Sequence, residues 1–465
     1  MIAPFFYSNF TVSRILGHSP VLAGAVSTFT SITTTSQLCE KGSLFVPLIA
    51  KRDGHDFLVD ALQRGASAFL CQHDHPILKK IDAKERHKAI FTDNTLFGLG
   101  RLAAFHRSRF RPVVIGITGS SGKTTTKELF RACLDSIPAE QLVITEKNYN
   151  NEIGTPFTLF HTNSKTRIVV CEMGMNHRGE ISRLSHMVQP DLAIITNIGS
   201  AHIEFLGSIK EIARAKAEIV DAMPEKSQLF YPFHTRYKNL IRKQAKRRRI
   251  TVREYSLENN RDISLQEERQ DGFLLKCTEE TLHWQLPGVR ILENLCGVWE
   301  ICRKLKIPTE DLLQGLTKFR APESRLQLHQ GRYQIIDDSY NANPDSMLSS
   351  LEAGKQMAGS QPFYAILGDM KELGGFSKKL HREVGKSQVS SLLSGLFTFG
   401  EDSKYLQEAF STTHKREAYH FSTAERKNLL GQIRKSIPAG SYILLKGSRS
   451  MKLETLVPLL QAENP

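Results

Sequence analysis

The residues best suited to chemistry stand together in one stretch, residues 113–128, with the sequence V-V-I-G-I-T-G-S-S-G-K-T-T-T-K-E. Its apolar, β-branched start predicts a buried parallel strand, and its end predicts a helix. The glycine-rich turn between them can present bare N–H groups to a phosphate chain. The helix dipole, the charge of Lys123 and the hydroxyl of Thr124 (a ligand for Mg²⁺) would act beside it.

The spacing departs from the strict phosphate-loop pattern G-x-x-x-x-G-K-[ST], because Ile117 stands in place of the first glycine. Gly116 and Gly119 provide a shifted version of the turn. Glycine-rich turns between a strand and a helix also occur for packing alone. The order of strand, glycines, Lys-Thr and helix nevertheless favours nucleotide binding.

Two further buried-strand patterns end in polar residues. Residues 167–172 end in Glu172, and residues 192–197 lead through Gly199 to His202. Because ligands of open α/β sheets bind at the carboxyl ends of the strands, both residues should stand at the edge that carries the phosphate loop. A carboxylate there suits a hard cation such as Mg²⁺. Singly, each would be an ordinary loop residue; their joint position favours metal and phosphate chemistry.

Two predicted helices carry a polar residue that needs an explanation. Lys216 falls on the apolar stripe of the helix predicted over residues 209–222. An inward lysine needs a partner or loses its charge, although its long stem could instead run along the surface. Asn294 lies inside the helix predicted over residues 291–305, where asparagine is mildly unfavourable. It would contact either a ligand or a buried backbone group.

The length of 465 residues predicts about three domains of the usual ~150-residue size. The patterns place an N-terminal α/β region at residues 1–108, a central region at 109–320 and a C-terminal region at 321–465. The central region begins with the phosphate loop and contains a hairpin signal at Asp271-Gly272. Alternating strands and helices in the C-terminal region predict a doubly wound sheet. The cluster Asp53-Gly54-His55 predicts a turn rather than a site.

Composition narrows the class of protein. No apolar run approaches the ~20 residues that span a bilayer, and residues 1–16 lack the features of a signal peptide. The seven scattered cysteines fit reduced thiols in a cytoplasm. The net charge of +14 raises the alternative of nucleic-acid binding. Much of that charge lies in residues 238–253, which more simply predict a solvated basic helix face.

Eight strings, in one order between residues 42 and 454, resemble the ATP-dependent Mur ligases of peptidoglycan synthesis. They are I-T-G-S-S-G-K-T-T-T-K-E, K-N-Y-N-N-E-I-G-T-P, E-M-G-M-N-H-R-G-E-I, T-N-I-G-S-A-H-I-E, A-K-A-E-I, D-D-S-Y-N-A-N-P-D-S-M, L-G-D-M-K-E-L-G and K-G-S-R-S-M. The sixth and eighth strings are typical of the member that adds a dipeptide. Eight strings in register are hard to reach by chance.

The resemblance implies a three-domain α/β fold: an N-terminal UDP-binding domain, a central ATP-binding parallel sheet with a small antiparallel sheet, and a C-terminal Rossmann-like doubly wound domain. It implies a carboxylate–amine ligase that adds D-alanyl-D-alanine to UDP-N-acetylmuramoyl-tripeptide through an acyl phosphate. ATP and two Mg²⁺ ions would serve the reaction. The expected protein is a cytoplasmic monomer with no nucleic-acid partner and no membrane insertion.

The resemblance also implies residue roles. The catalytic residues would be Lys123, Glu172, His202 and Lys216. The ATP-binding residues would be Thr118, Gly119, Ser120, Ser121, Gly122, Lys123, Thr124, Asn294, Arg325 and Asp338. Metal would be held by Thr124, Glu172, His202 and Lys216, the last as a carbamate. The substrates would be bound by Ser36, Asn148, Asn151, Asn341, Asn343, Ser448 and Arg449.

Three places depart from the family pattern. Thr35-Ser36-Gln37 replaces D-S-R, residues 288–294 lack the His-Asn pair of G-x-H-N-x-x-N, and residues 45–50 differ from F-V-A-L-x-G. These changes concern uridine and adenine placement. The alternatives are another Mur-type or folylpolyglutamate-type amide ligase, a non-catalytic family member, or a P-loop nucleic-acid-binding protein.

Overall fold

A computed structural model describes residues 1–17 and 28–462 of the chain. Within these residues the strands form four sheets: three mainly or wholly parallel sheets, and a small antiparallel one. This is the predicted α/β class. Each sheet lies inside one of the three predicted regions, although the exact boundaries between regions stay a prediction.

The N-terminal region holds a five-stranded sheet in the order β1-β2-β3-β4-β5, in which only the β1–β2 pair is antiparallel. Completely buried side chains such as Phe5, Leu44 and Leu70 join it to the core. The strands and helices are β1 (Ile2–Pro4), α1 (Asn9–Leu16), β2 (Ser31–Thr33), β3 (Ser43–Phe45), α2 (Leu58–Gln63), β4 (Ala68–Cys71), β5 (Ala89–Phe91) and α3 (Thr95–Ser108).

The central region is built on a six-stranded parallel sheet in the order β11-β10-β9-β6-β8-β7. Its elements are β6 (Val113–Thr118), α4 (Lys123–Cys133), β7 (Leu142–Ile144), α5 (Gly154–Phe160), β8 (Ile168–Glu172), α6 (Glu180–Val188), β9 (Leu192–Ile195), α7 (Ile203–Leu206), α8 (Ile209–Ala217), β10 (Gln228–Pro232), α9 (Lys238–Arg247) and β11 (Thr251–Tyr255).

Strand β6 lies between β8 and β9, and its register fixes the position of the site. Ile117 pairs with Glu172, and Thr118 pairs with Ile195. The three strands therefore end at one edge of the sheet. The prediction that the phosphate loop and Glu172 share an edge is confirmed.

A three-stranded antiparallel sheet follows, with strands β12 (Ile263–Arg269), β13 (Gly272–Cys277) and β14 (Glu280–Trp284). The hairpin predicted at Asp271-Gly272 is confirmed, because β12 and β13 are joined there. Helices α10 (Val289–Lys304) and α11 (Thr309–Lys318) complete the region. Buried apolar side chains of β13, α4 and α10 share one core cluster.

The C-terminal region has a six-stranded sheet in the order β15-β16-β20-β17-β18-β19, parallel except for β15. Its elements are β15 (Gln327–His329), β16 (Gln334–Asp337), α12 (Pro344–Ala358), β17 (Phe363–Gly368), α13 (Ser377–Lys386), β18 (Gly395–Phe399), α14 (Lys404–His414), β19 (Ala418–Phe421), α15 (Arg426–Ser436), β20 (Tyr442–Lys446) and α16 (Val457–Gln461). The predicted doubly wound sheet is confirmed.

One helix prediction needs correction. The helix expected over residues 209–222 ends at Ala217 and continues as a 3₁₀ turn, in which Glu218 turns toward the start of α6 and accepts a hydrogen bond from Gly179 N–H (2.9 Å). After β20, two 3₁₀ turns, Arg449–Met451 and Leu453–Leu456, precede α16. Lys452 separates them because its backbone is left-handed (φ +50°).

The basic run has the structure that its composition predicts. Ile241 and Ala245 anchor α9 in the core, whereas most of its lysines and arginines are exposed. The seven cysteines, all in the described part of the chain, are buried and unpaired. No helix among the described residues is both long and apolar enough to cross a membrane.

Asp53 organises a small polar network in the N-terminal region. The expected turn is a 3₁₀ helix, Gly54–Phe57, capped by the Asp53 carboxylate. Asp53 Oδ1 lies 2.7 Å from His55 Nδ1, and Oδ2 lies 3.0 Å from His75 Nε2. Burial alone would raise the pKa of Asp53, but hydrogen bonds from the His55 backbone and from both imidazoles lower it. The folded state therefore favours the ionised carboxylate.

Asp53→Asn should destabilise the protein by about 1–2 kcal/mol at neutral pH, because hydrogen bonds to a charged acceptor are lost. With a lowered folded pKa, the wild-type carboxylate contributes fully above its unfolded pKa of about 3.9, and the contribution disappears as the pH falls through the folded value. Urea unfolding between about pH 3 and pH 7 should show the two proteins converging at the acid end.

The matched control is Asp56→Asn, which removes an exposed carboxylate from the same turn. We expect it to change the free energy of unfolding by less than about 0.5 kcal/mol. Equal losses in the two variants would contradict a bridging role for Asp53.

Candidate active site

A cleft of about 700 Å³ lies at the carboxyl edge of the central sheet, where the C-terminal region faces it. Residues of both regions line it, including most of the predicted site residues. Those that line it are Ser120, Ser121, Gly122, Lys123, Thr124, Asn148, Asn151, Glu172, His202, Asn294, Arg325, Asp338, Asn341 and Asn343.

The phosphate loop requires glycine at two positions. A Cβ atom at Gly119 would lie 1.8 Å from Thr196 Oγ1. Gly122, which caps α4, has φ +78°, and a Cβ atom there would lie 2.8 Å from Asn294 Nδ2. The first contact packs the loop onto the end of β9, and the second packs it against α10. Both substitutions would deform the backbone that faces the cleft.

Polar side chains that directly follow β9 hold the phosphate loop in place through hydrogen bonds. Asn197 Oδ1 accepts from Ser121 N–H (2.8 Å), and Asn197 Nδ2 donates to Ser121 Oγ (2.8 Å). Thr196 Oγ1 donates to the Ser121 carbonyl (2.5 Å). Within residues 192–202, only His202 was predicted to be a site residue. The amide and hydroxyl residues preceding it were missed because isolated polar residues in a loop have no periodic signal.

Two lysines donate to one carbonyl oxygen beneath the loop. Lys123 Nζ lies 2.8 Å and Lys216 Nζ 2.9 Å from the oxygen of Gly119. Lys216 is 1% exposed, which confirms that it points inward. Burial, followed by the charge of Lys123, lowers its pKa well below the ordinary value. Burial also lowers the pKa of Lys123, although the charge of Glu172 opposes this.

Glu172 has an incomplete set of partners. Its Oε1 accepts from Thr124 Oγ1 (3.2 Å) and from Asn150 Nδ2 (2.8 Å). Its Oε2 is buried and has no hydrogen-bond partner among the described residues. A buried oxygen without a partner is costly unless something satisfies it. A carboxylate beside a threonine hydroxyl fits a hard cation such as Mg²⁺. Asn150 was not predicted, although it lies between two residues that were.

His202 stands near the same lysines. Its Nδ1 lies 2.7 Å from Oε2 of Glu372, which comes from the C-terminal region. Burial lowers the pKa of His202, and the charges of Lys216 and Lys123 lower it further, against the opposite effect of Glu372. The neutral imidazole that results is the form able to bind a metal ion. Thr124 contacts Glu172 directly, and His202 lies near enough to Lys216 for its charge to act on the imidazole; the metal-binding role of these four residues stays a prediction.

The C-terminal region contributes a second group of charged side chains. The guanidinium of Arg325 lies over the Tyr340 ring, 4.2 Å from its centroid. Asp338 Oδ2 accepts from Lys446 Nζ (2.6 Å), and the same ammonium donates to the Asn341 carbonyl (3.0 Å). These bonds hold the loop that follows β16 against the cleft.

Asn343 caps α12, as its position before Pro344 predicts. Its side chain accepts from Ser346 N–H, and Ser346 Oγ accepts from Asn343 N–H, so the two residues form a capping box. Asn151 likewise bonds locally, accepting from Gly154 N–H at the start of α5 (2.9 Å). Both residues line the cleft, and their substrate-binding roles stay predictions.

Several predicted residues are not among those that line the cleft. Thr118 and Gly119 form the base of the phosphate loop, Lys216 is buried beneath it where it donates to the Gly119 carbonyl, and Ser36 lies in the N-terminal region. Ser448 is buried and accepts from Lys371 N–H (2.8 Å). The Arg449 guanidinium lies 5.6 Å from the centroid of the Tyr340 ring, whose other neighbour is Arg325. The predicted roles of Ser36, Ser448 and Arg449 in substrate binding stay untested.

Comparison with known proteins gives matches to two family models. Residues 117–302 match the Mur ligase middle domain, and residues 324–449 match the glutamate ligase domain of Mur ligases. The chain therefore belongs to the Mur ligase family, whose members are ATP-dependent ligases that form an amide bond. Its relatives of nearly equal length include UDP-N-acetylmuramoyl-tripeptide–D-alanyl-D-alanine ligases.

The relative from Bacillus subtilis (strain 168) is 34% identical over 432 residues, which cover 92% of each chain. The relative from Escherichia coli (strain K12) is 29% identical over 453 residues, which cover 95% of each chain. The crystal structure of MurF from Acinetobacter baumannii has a TM-score of 0.84 at 27% identity and covers 99% of each chain. This similarity confirms the family and the fold predicted from the sequence.

Gly122→Ala should weaken binding of a nucleotide analogue at least about 10-fold, because the added methyl group would displace the loop or Asn294. Gly207→Ala is the matched control. It has nearly the same left-handed backbone (φ +76°), but nothing lies within 4 Å of its Cβ position. The control should lose about 1 kcal/mol of stability and keep its affinity. Isothermal titration calorimetry and thermal unfolding separate the two effects, and equal affinity losses would contradict the contact.

Proposed function

We propose that this protein joins D-alanyl-D-alanine to the C-terminal carboxylate of UDP-N-acetylmuramoyl-tripeptide, with conversion of ATP to ADP and phosphate. The observation that supports it best is the convergence of Lys123, Lys216, Glu172 and His202 beneath one phosphate loop. The relatives from Bacillus subtilis and Escherichia coli are named for this reaction.

The chemistry requires two steps. The γ-phosphoryl group of ATP is transferred to a carboxylate oxygen of the tripeptide, which gives ADP and an acyl phosphate. The amine of the dipeptide then attacks the acyl carbon, the C–O bond to phosphate breaks, and a proton leaves the nitrogen as the amide forms. Clustered positive charge must offset the phosphates and the carboxylate in one cleft. Lys123 and Arg325 supply such charge from its two sides.

Water must be excluded while the acyl phosphate exists, since hydrolysis would waste it. The C-terminal region already covers one side of the cleft: Asp345 Oδ2 accepts from Ser200 N–H (3.0 Å) and from Ser200 Oγ (3.2 Å). Closure of this region over the bound substrates would isolate the reacting atoms.

We also propose that Thr124, Glu172, His202 and Lys216 hold the two Mg²⁺ ions, which supply additional positive charge to the phosphates. Lys216 would take part as a carbamate. Its lowered pKa favours the neutral amine, which is the form that adds CO₂ and loses a proton. The carbamate would replace a buried cation by an oxygen ligand. Asn294 and Asp338 are proposed to contact the nucleotide.

The proposed substrate-binding roles are those that the resemblance of the sequence to Mur ligases implies. Ser36 would contact the uridine end of the first substrate, Asn148 and Asn151 its peptide, and Ser448 and Arg449 the dipeptide. The protein would act as a cytoplasmic monomer.

The reaction is tested by measuring phosphate release with UDP-N-acetylmuramoyl-tripeptides that differ in the third residue, with and without D-alanyl-D-alanine. Release should require both substrates, and mass spectrometry should find the joined product. A single amino acid that replaces the dipeptide would instead indicate a neighbouring amide ligase. Turnover that responds to DNA or RNA and ignores the dipeptide would favour the nucleic-acid alternative.

Lys123→Ala should lower the joining rate at least about 100-fold while the protein remains folded, because the ammonium nearest the phosphates is removed. The control is Lys243→Ala, which removes an exposed charge from α9. Its activity should be unchanged. Wild-type activity in Lys123→Ala would contradict the assignment of the phosphate loop.

Lys216→Ala should also be inactive, and short carboxylic acids should restore part of its activity if the lost group is a carbamate. The control is Lys210→Ala, an exposed lysine on the same helix, α8. Isotopically labelled bicarbonate should give a carbamate signal in the wild type and in the control, but not in Lys216→Ala. Absence of that signal, with no rescue, would remove this role.

A further inference from the structure

One carboxylate crosses from the C-terminal region to a proposed metal ligand. Glu372 lies in the loop between β17 and α13, and its Oε2 is 2.7 Å from His202 Nδ1. The backbone supports this approach, because the Glu372 carbonyl accepts from Glu204 N–H (3.2 Å). Gly374 packs against the same residue: a Cβ atom there would lie 2.9 Å from Glu204 Cγ.

Both members of the pair have an unusual backbone. His202 has φ +63° and Glu372 has φ +62°, a region that residues other than glycine rarely adopt. Such conformations persist where the surrounding structure holds them, and they are common at functional sites. Here His202 is the N-cap of the short helix α7, and the loop bearing Glu372 hydrogen-bonds to α7 through Glu204 N–H.

The pair differs from the other carboxylate contact between the two regions. Asp345 accepts from the backbone N–H and the hydroxyl of Ser200 and lies 3.7 Å from the Arg236 guanidinium, none of which is a proposed metal ligand. Glu372 instead contacts the imidazole of a proposed metal ligand, and, like Asp345, it lines the cleft. Because the Glu372 side chain is 43% exposed, the ion pair adds little to stability. A positioning role explains it better.

We propose that Glu372 is a positioning residue: it holds the Nδ1 side of the His202 ring, so that Nε2 is left to bind metal in the cleft. Metal-binding histidines generally give their second ring nitrogen to a carboxylate, which fixes the tautomer and the ring orientation. Here the carboxylate comes from the other region. The metal site is therefore complete only when the two regions are in contact. This inference rests on the proposed function, in which His202 binds metal.

The test measures metal binding directly. Mn²⁺ replaces Mg²⁺, and electron paramagnetic resonance follows free Mn²⁺ as the full-length protein is titrated with a non-hydrolysable ATP analogue present. Glu372→Ala should raise the apparent dissociation constant about 10- to 100-fold. Glu372→Gln should lose less, because it removes the charge but keeps an oxygen close to the Nδ1 side of the ring. In the joining assay, the Mg²⁺ concentration for half-maximal rate should rise in the same order.

A double-mutant cycle identifies the residue through which Glu372 acts. His202→Ala combined with Glu372→Ala should bind Mn²⁺ no more weakly than His202→Ala alone. The matched control is Glu383→Gln, which removes a carboxylate that pairs with Lys379 inside α13. Its apparent dissociation constant for Mn²⁺ should equal that of the wild type. Thermal unfolding should be unchanged in every variant, since the pair is partly exposed.

The inference is overturned if Glu372→Ala binds Mn²⁺ as tightly as the wild type does. It is also overturned if the double variant loses affinity by the product of the losses in His202→Ala and Glu372→Ala. Failure of the proposed function has a different signature: the wild type itself would show no phosphate release that depends on the dipeptide. The two results are therefore distinguishable in the same set of proteins.

Discussion

The site depends on two ammonium groups that share one carbonyl oxygen. Lys123 and Lys216 both donate to Gly119, at the turn where β6 leaves the sheet. Two like charges this close, in a buried place, repel each other and lose hydration. The pKa of Lys216 is lowered further than that of Lys123, because Lys216 is buried and lies beside the charge of Lys123. Burial and the neighbouring charge therefore favour the neutral amine at Lys216, and negative charge placed in the cleft would stabilise the Lys123 ammonium.

The same constraint explains why so many polar side chains surround the loop. A backbone that must present N–H groups to phosphates cannot use them in a sheet or helix, so other groups have to fix its shape. Thr196 and Asn197 do this from the end of β9, and Asn294 of α10 leaves no room for a side chain at Gly122. Glu172 is fixed in turn by Thr124. The cleft is therefore preorganised before a ligand binds.

Local patterns in the sequence were sufficient to predict the strands of the central sheet and the edge at which the site lies. Buried β-branched runs predicted the central strands, and the shared edge of parallel strands placed Glu172 beside the phosphate loop. The apolar stripe of α8 left two directions open for Lys216, and burial of the side chain shows that it points inward. Asn150 and Glu372 were missed because their partners lie far away in the chain, and no spacing rule connects them. The end of α8 was misplaced for a similar reason, since Glu218 leaves the helix to bond with α6.

One of the three departures from the family pattern, at residues 288–294, lies at the cleft, whereas the other two lie in the N-terminal region. Arg290, Ile291 and Glu293 line the cleft next to Asn294, where the family has a His-Asn pair. Burial raises the pKa of Glu293, and the charge of Arg290 opposes this. The phosphate loop lies in a separate part of the cleft. Its contacts come from β6, β8, β9 and α8, where the sequence keeps the residues of the family pattern. The altered residues therefore change the lining beside Asn294 without changing the groups proposed to act on the phosphates. Asn294 lies between these two parts of the cleft, because its amide would stand 2.8 Å from a Cβ atom at Gly122.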